Sequence, residues 1–499
     1  MRHHTIRRWP TGVLTTAMIV GAAIAGRAYA SLPPAAKGPT KAHSFLSASG
    51  KTLLPTTGSS QITVSTPFVH IGQPIRWSAR GLTPDTTLNL MWETVQGKWQ
   101  LSGQDNERLV GDTYTFGRAQ IGTVHTTAQG TAKGTFTAPA GFGGPHPFGL
   151  ALPHGRVEAV GTVIETVSAS IGATTEPQGR FFTLHVTGLG YGGGYDAYMA
   201  EYGVLYDNHY MGFISGVTTQ GVATFRVRAE GVGPHVISLL DSPVEGPYLN
   251  VEQSPYAWFS QYSFPVTVTP GVPTDITSHL PSIPAVTGNH ITVTPGSGPV
   301  GTRFTLAGTG LLPNRMLQVV WFTMVGNRVT ASGFTARPVD LGTVRTNTLG
   351  SFRLTMRAPL DLGGPPHTVD LVSHGKVVGS GSFRIVPHFV ATEPTVVQAG
   401  HSFIVHLTGV GWTQYDNIYA VDYDNAYTGY GCGFNSAGDV KLVLRAGGLP
   451  GYHFIDIYPS PYQSSSHFPN WYGMPQLTYA QDHPGDRLPA FHLVIRVVP

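Results

Sequence analysis

Charge is scarce in this chain. Asp, Glu, Lys and Arg make up 11% of its 499 residues, against about 25% in ordinary soluble proteins. The formal net charge is +3, too weak a field to hold a polyanion, so neither nucleic acid nor an anionic membrane is a natural partner. With carboxylates so few and 21 His present, the composition suits an acidic exterior, where protonating many Asp and Glu would otherwise remove ion pairs that folding relied on. Cysteine is almost missing: Cys432 stands alone, which excludes an internal disulfide framework and leaves stability to packed cores. The same residue excludes blue copper, because no His follows it until His453 and no Met until Met474, whereas that site needs Cys, two His and usually Met on closely spaced loops. Cys432 reads as a small buried residue.

Catalytic signatures are missing too. There is no G-x-S-x-G and no H-E-x-x-H, and the "GKT" at 50–52 has Phe45 where a phosphate-cradling loop needs glycine. No catalytic, cofactor or metal site is expected, and the chain reads as a non-enzyme. Asp416, Asp422, Asp424 and Asp439 cluster in sequence and raise the question of calcium, which wants six to eight oxygens; only Asp196 and Asp207 offer counterparts in the other copy described below. After the first 30 residues, no apolar run reaches the ~18 residues that cross a membrane. Those first 30 carry Arg2, Arg7 and Arg8, an apolar run from Gly12 to Gly26, and Ala28-Tyr29-Ala30 before Ser31. That pattern is expected to be a cleaved signal peptide, which would put the mature chain outside the cell or on its surface.

What is abundant is strand and turn. "RFFTLHVTG" (180–188), "ATFRVRA" (223–229), "DVKLVLRA" (439–446) and "FHLVIRVVP" (491–499) alternate at period two, and 63 Gly and 39 Pro punctuate the chain. No 3.6-residue stripe persists over four turns. The composition predicts an all-β chain of sandwiches.

Repeats give its organisation. "ITVSTPFVHIGQPIRWSARGLTP" from Ile62 matches "ITVTPGSGPVGTRFTLAGTGLLP" from Ile291, each leading to a Trp, Trp92 and Trp321. "FTLHVTGLGY" (182–191) matches "FIVHLTGVGW" (403–412), and "GPHVISLL" (233–240) matches "GYHFIDIY" (451–458). The expected order is A-B-A-B: signal peptide 1–30, linker 31–60, A1 61–165, B1 166–270, Pro-rich linker 271–290, A2 291–387 and B2 388–499. Units of about 100 residues suit one sandwich each.

The stretches "TPGSGPVGTRFTLAGTGLLPN" (294–314), "TNTLGSFRLTMRAP" (346–359) and "GGPPHTVDLV" (363–372), with Trp321 between the first two, resemble bacterial immunoglobulin-like modules of the IPT/TIG type. The match is good over 291–387 and looser elsewhere. The resemblance implies extracellular sandwiches used as spacer, adhesin or accessory domains, without catalytic residues of their own.

One phrase recurs at a spacing of 217 residues, from Asp207 to Asp424: "YDNHYMGFISG" (206–216) and "YDNAYTGYGCG" (423–433). Tyr202, Val204 and Tyr206 fall on Tyr419, Val421 and Tyr423, one face of a strand and so core, while Leu205 falls on Asp422. Asp207-Asn208 and Asp424-Asn425 read as hairpin turns, with Gly212 and Gly429 at bulges. Tyr210 and Tyr427 follow each turn, and the aromatic loops "SPYAWFSQY" (254–262) and "HFPNWYGMP" (467–475) supply Trp258, Phe259, Trp471 and Tyr472. Exposed together, such residues would form a platform for a protein or a glycan at the cell surface; folded inward, they would only close the ends of their own sandwiches. A structural and adhesive role is the leading expectation, with an array of carbohydrate-binding modules as the alternative and an enzyme with a site between domains a distant third.

Overall fold

In sequence terms, a strand that buries one face must show every second side chain to the core. Pro74–Arg80, Phe181–Thr187 and Ser402–Thr408 do so, alternating between buried and exposed residues. The computed structural model describes residue 54 and residues 60–103, 108–191, 201–241, 249, 261–278, 280, 282–326, 334–461 and 473–499. Every regular element among them is a β-strand.

Among the described residues the inward positions build four large cores, beside a small cluster of Trp99, Leu109 and Val217. The first holds Trp77, Trp92 and Phe148, the second Phe182, Val204, Phe225 and Val266, the third Phe304, Trp321 and Phe383, and the fourth Phe403, Tyr419, Ile455 and Leu493. They are the cores of A1, B1, A2 and B2, an all-β tandem of immunoglobulin-like sandwiches in A-B-A-B order. The second core also takes in Tyr458 and Leu477 from the far end of the chain.

B1 and B2 share one topology. In B1, Tyr262–Thr269, Gly233–Asp241, Glu201–Tyr206 and His209–Ser215 lie in that order in one sheet, opposite Ala223–Arg228, Phe181–Thr187 and Ser168–Ile171. In B2, Phe491–Val498, Gly451–Pro459, Ile418–Tyr423 and Ala426–Cys432 repeat the order, opposite Val440–Arg445, Ser402–Thr408 and His388–Glu393. The Pro-rich segment before A2 is built into this scheme: Ile276–Thr277 joins the edge of the B2 sheet beside Phe491–Val498, and Val286–Thr287 pairs with Ile291–Thr294.

A1 and A2 repeat a different device. Trp92 stacks on His146, with centroids 4.9 Å apart, and Trp321 on His367, at 4.7 Å. Each imidazole spans two backbone carbonyls, of Phe142 and Glu93 for His146, and of Leu362 and Phe322 for His367. Both rings are buried. The loop before each His carries a double glycine because it presses on the G-x-G corner of the following B module. A Cβ on Gly143 would lie 1.9 Å from the Gly188 carbonyl oxygen, and one on Gly363 would lie 1.9 Å from that of Gly409. The two glycine motifs are therefore halves of one A–B joint, made twice. Gly363→Ala is expected to cost about 1–3 kcal/mol, as overpacking against unyielding backbone does. Gly447→Ala, where a Cβ would meet nothing within 4 Å, is expected to stay within about 0.5 kcal/mol of the parent. Chemical denaturation midpoints check the pair; equal costs would remove the joint as the explanation.

Candidate functional site

The repeated phrase forms a two-residue hairpin in both B modules. Asp207 and Asn208 sit at φ 47° and 68°, Asp424 and Asn425 at 52° and 56°, the left-handed region that Asp and Asn tolerate and that matches strand twist. A register shift follows at Val204/Leu205 and again at Val421/Asp422, beside Gly212 and Gly429. The turn carboxylates reach the next strand. Asp207 accepts from the Val236 N–H at 2.9 Å and meets His235 Nδ1 at 2.6 Å; Asp424 accepts from the Phe454 N–H at 2.9 Å and meets His453 Nδ1 at 2.5 Å. The second nitrogen of each ring bonds a carbonyl, of Gly231 or Leu449. Tyr206 and Tyr423 stack on these rings and donate to the carbonyls of Glu230 and Gly447. The duplicated aspartates and histidines thus fasten the hairpin to the strand beside it.

On the outer face the two copies part. Across the B1 sheet, Leu205, Ser238 and Ser263 lie in one row, and the two serine hydroxyls are 3.2 Å apart. The same row in B2 reads Asp422, Asp456 and His492. Over it lies Arg228, from the last strand position of the smaller B1 sheet. Its Nη2 donates to Asp456 Oδ1 at 2.8 Å and its Nε to Oδ2 at 3.3 Å, while His492 Nδ1 is 2.9 Å from Oδ1. The guanidinium sits over Phe454 at 4.8 Å and Phe181 at 5.0 Å, and Asn425 Nδ2 donates to the Arg228 carbonyl. Arg228 is fully buried. Its counterpart Arg445 is exposed and donates to its own module at the Gly400 carbonyl.

The joint extends along the neighbouring strand. Gly212 lies against Pro475, where a Cβ would come within 2.3 Å of a carbonyl oxygen, and Phe213 bridges to Gln476. Ser215 bonds Thr478. Asp482 accepts from the N–H groups of Val217 and Thr218 and from Trp99 Nε1 at the tip of the long A1 hairpin. Tyr210 is placed here: its hydroxyl is buried without a partner, beside Asp422, Glu201 and Tyr427. Trp258, Phe259, Trp471 and Tyr472 lie outside the described residues. The aspartates that raised the calcium question are dispersed, Asp422 in the row under B1, Asp424 on His453, Asp439 on His406 and Asp416 buried at the A2–B2 joint. Among the described residues, no three His, Cys, Asp or Glu are grouped to hold a metal. Cys432 is half-buried.

Burial at these joints moves protons. It raises Glu165 to about 8 and Asp416 to about 7. Burial, with Asp424 and Asp456 nearby, raises Glu230 to about 9, and burial lifts Glu201 and Asp422 well above the carboxylate range. Burial also pushes Asp456 up, but Arg228 and His492 together outweigh it and hold that carboxyl at about 2.

No family model matches the chain, and no curated protein matches it. Among solved structures it is similar to the D1–D4 ectodomain fragment of ICAM-5, at 13% identity over 88% of this chain and 100% of that one, with a TM-score of 0.17. It is similar to the Escherichia coli adhesin FdeC at 14% identity over 66% and 96%, TM-score 0.15. It is also similar to a putative membrane anchored protein of Corynebacterium diphtheriae at 10% over 65% and 89%, TM-score 0.18. No helix among the described residues is long and apolar enough to cross a membrane.

The shifted groups fix a direction for pH. A carboxyl whose folded value is raised takes up a proton on folding, so its contribution is full at low pH and is lost as pH climbs from about 4 through the folded value. Glu165, Asp416 and Glu230 act so across about pH 4–9. Burial lowers His453, but the bond to Asp424, the bond to the Leu449 carbonyl and the Asp424 charge together outweigh it and raise it overall, so it adds the same sign above about pH 6.5. His146, lowered by burial, opposes them below about 6.5, and Asp456 is lost only as pH falls toward about 2. The melting temperature is expected to be higher at about pH 5 than at about pH 8, with Asp416→Asn narrowing the gap. A melting temperature that rises over that interval contradicts the assignment.

Proposed function

We propose that this chain is an exported, non-catalytic array of immunoglobulin-like sandwiches, with A modules of the bacterial IPT/TIG type, that serves as a structural and adhesive protein at the cell surface. One observation carries the reading: the chemistry-bearing side chains of the duplicated phrase and its surroundings are spent on holding strand to strand and module to module. Asp207, Asp424, His235 and His453 close hairpins. Arg228, Asp456 and His492 close a joint. Four sandwiches held at buried joints make a stiff spacer, and a stiff spacer presents a contact surface at low entropic cost. The arginine-led first segment and its apolar run support export, and the contact partner in this reading is a protein or a glycan.

Beads coated with the purified chain are expected to adhere to cells or to immobilised polysaccharide above the level of beads coated with heat-denatured chain. Adhesion equal to that control on every surface tried would remove the adhesive half of the proposal.

A further inference from the structure

Carboxyl groups face one another across the B1–B2 joint. On the B2 side two of them are anchored as anions by donors of their own. Asp424 accepts from the Phe454 N–H and holds His453, and Asp482 accepts from the Val217 and Thr218 N–H groups, the Thr218 hydroxyl and Trp99 Nε1. Against each stands a glutamate of B1. Glu230 lies two residues beyond Arg228, whose carbonyl Asn425 bonds, and its carboxyl meets that of Asp424, with Asp456 and Asp207 close by. Glu201 sits beside Ser215 in the sheet, and Ser215 bonds Thr478, which brings Glu201 near Asp482 and near Asp112 of the long A1 hairpin. Asp422 of B2 is buried in the same joint with both oxygens unpartnered, near Asp456 and the hydroxyls of Tyr210, Tyr427 and Tyr458.

The basic groups of the joint are committed elsewhere. Arg228 and His492 bond Asp456, His453 bonds Asp424, His235 bonds Asp207, and Arg226 lies over Phe181. Among the described residues, none of them pairs with Glu201, Glu230 or Asp422. Two carboxyl groups in contact away from water can share one proton but cannot both be ionised, and a carboxylate has no donor to offer another. The joint is therefore complete only while its glutamates remain acids. The sandwich itself does without all three: at the matching positions of the other copy stand Ile418 for Glu201, Gly447 for Glu230 and Leu205 for Asp422.

We propose that the B1–B2 joint is a clasp that closes in acid and releases at alkaline pH, switched by the protons that its glutamates hold against the anchored aspartates. Burial first, and then the facing carboxylates, raise Glu230 to about 9 and lift Glu201 and Asp422 well above the carboxylate range. Their contribution is full below about pH 4 and is lost as pH climbs through the folded values. His453, raised overall, adds the same sign, and Asp456 opposes it only toward about pH 2. Glu201 and Asp422 point outward from their sheets and Glu230 follows the end of a strand, so all three lie outside the four cores. Their ionisation separates modules that stay folded. The inference rests on this joint alone and holds whether or not the chain adheres.

The test is small-angle X-ray scattering on the full chain from about pH 5 to about pH 10, with far-UV circular dichroism in parallel. The maximum dimension is expected to lengthen as pH rises and to recover on acidification, with the strand signal unchanged. Glu201→Gln combined with Glu230→Gln keeps the shape of both side chains and removes their ionisation. That variant is expected to move the midpoint of lengthening up by at least about one pH unit. Glu230→Gln alone is expected to move it in the same direction, and serves if the double variant fails to fold. Glu158→Gln, at a carboxyl bonded to Thr83 within A1, is expected to leave the midpoint where it is. Four results overturn the inference: a chain equally compact across the range, lengthening that coincides with loss of the strand signal, a midpoint unmoved by the joint variants, or one moved as far by Glu158→Gln.

Discussion

The structure depends on one buried charge pair between modules far apart in sequence. Arg228 and Asp456 are both removed from solvent, and two charges taken out of water hold together only when geometry and further hydrogen bonds compensate each of them. Here the carboxylate is compensated, taking two bonds from the guanidinium and a third from His492, and the guanidinium is compensated in part: it bonds through two nitrogens and lies against Phe181 and Phe454, while its Nη1 is buried without a partner. Removing either partner leaves the other buried and unmatched. The pair therefore acts more as a specification of which face meets which than as a source of net stability.

That specification lies in a difference between the copies. Where B1 has Leu205, Ser238 and Ser263, B2 has Asp422, Asp456 and His492 at matching register, and the arginine that both copies carry is buried in one and exposed in the other. A duplicated sandwich with identical faces could pair with further copies of itself; an acidic row on one copy and a buried arginine on the other define one mating within the chain. The A–B joints did not diverge in this way, and Gly143 with Gly188 repeats as Gly363 with Gly409.

The strands were legible because alternation is a local signal: "FTLHVTG" and "FIVHLTG" each show which face is core, and the four cores follow from it. The duplicated phrase was legible as a turn because Asp-Asn chemistry is local too. The joint was not. In "ATFRVRA" the alternation sends Arg226 and Arg228 to the same outward face, and nothing nearby distinguishes the exposed one from the buried one, whose partner is 228 residues away. A signal did exist, in comparing the chain with itself: three small or apolar outward positions of one copy are ionisable in the other, and such a coordinated change on a single face marks a contact. The aromatic loops at 254–262 and 467–475, which drew attention in the sequence, are described only at their ends, at Gln261 and Tyr262 and from Gly473 onward.

Calorimetry tests the central claim most directly. If the buried pair joins B1 to B2, the intact chain melts these two modules in one transition, and Arg228→Met, which strands Asp456 at a cost of about 3–5 kcal/mol, lowers that transition and splits it in two. A variant that melts as the parent does, at the same temperature and in the same single step, would show that the modules are held together by something else.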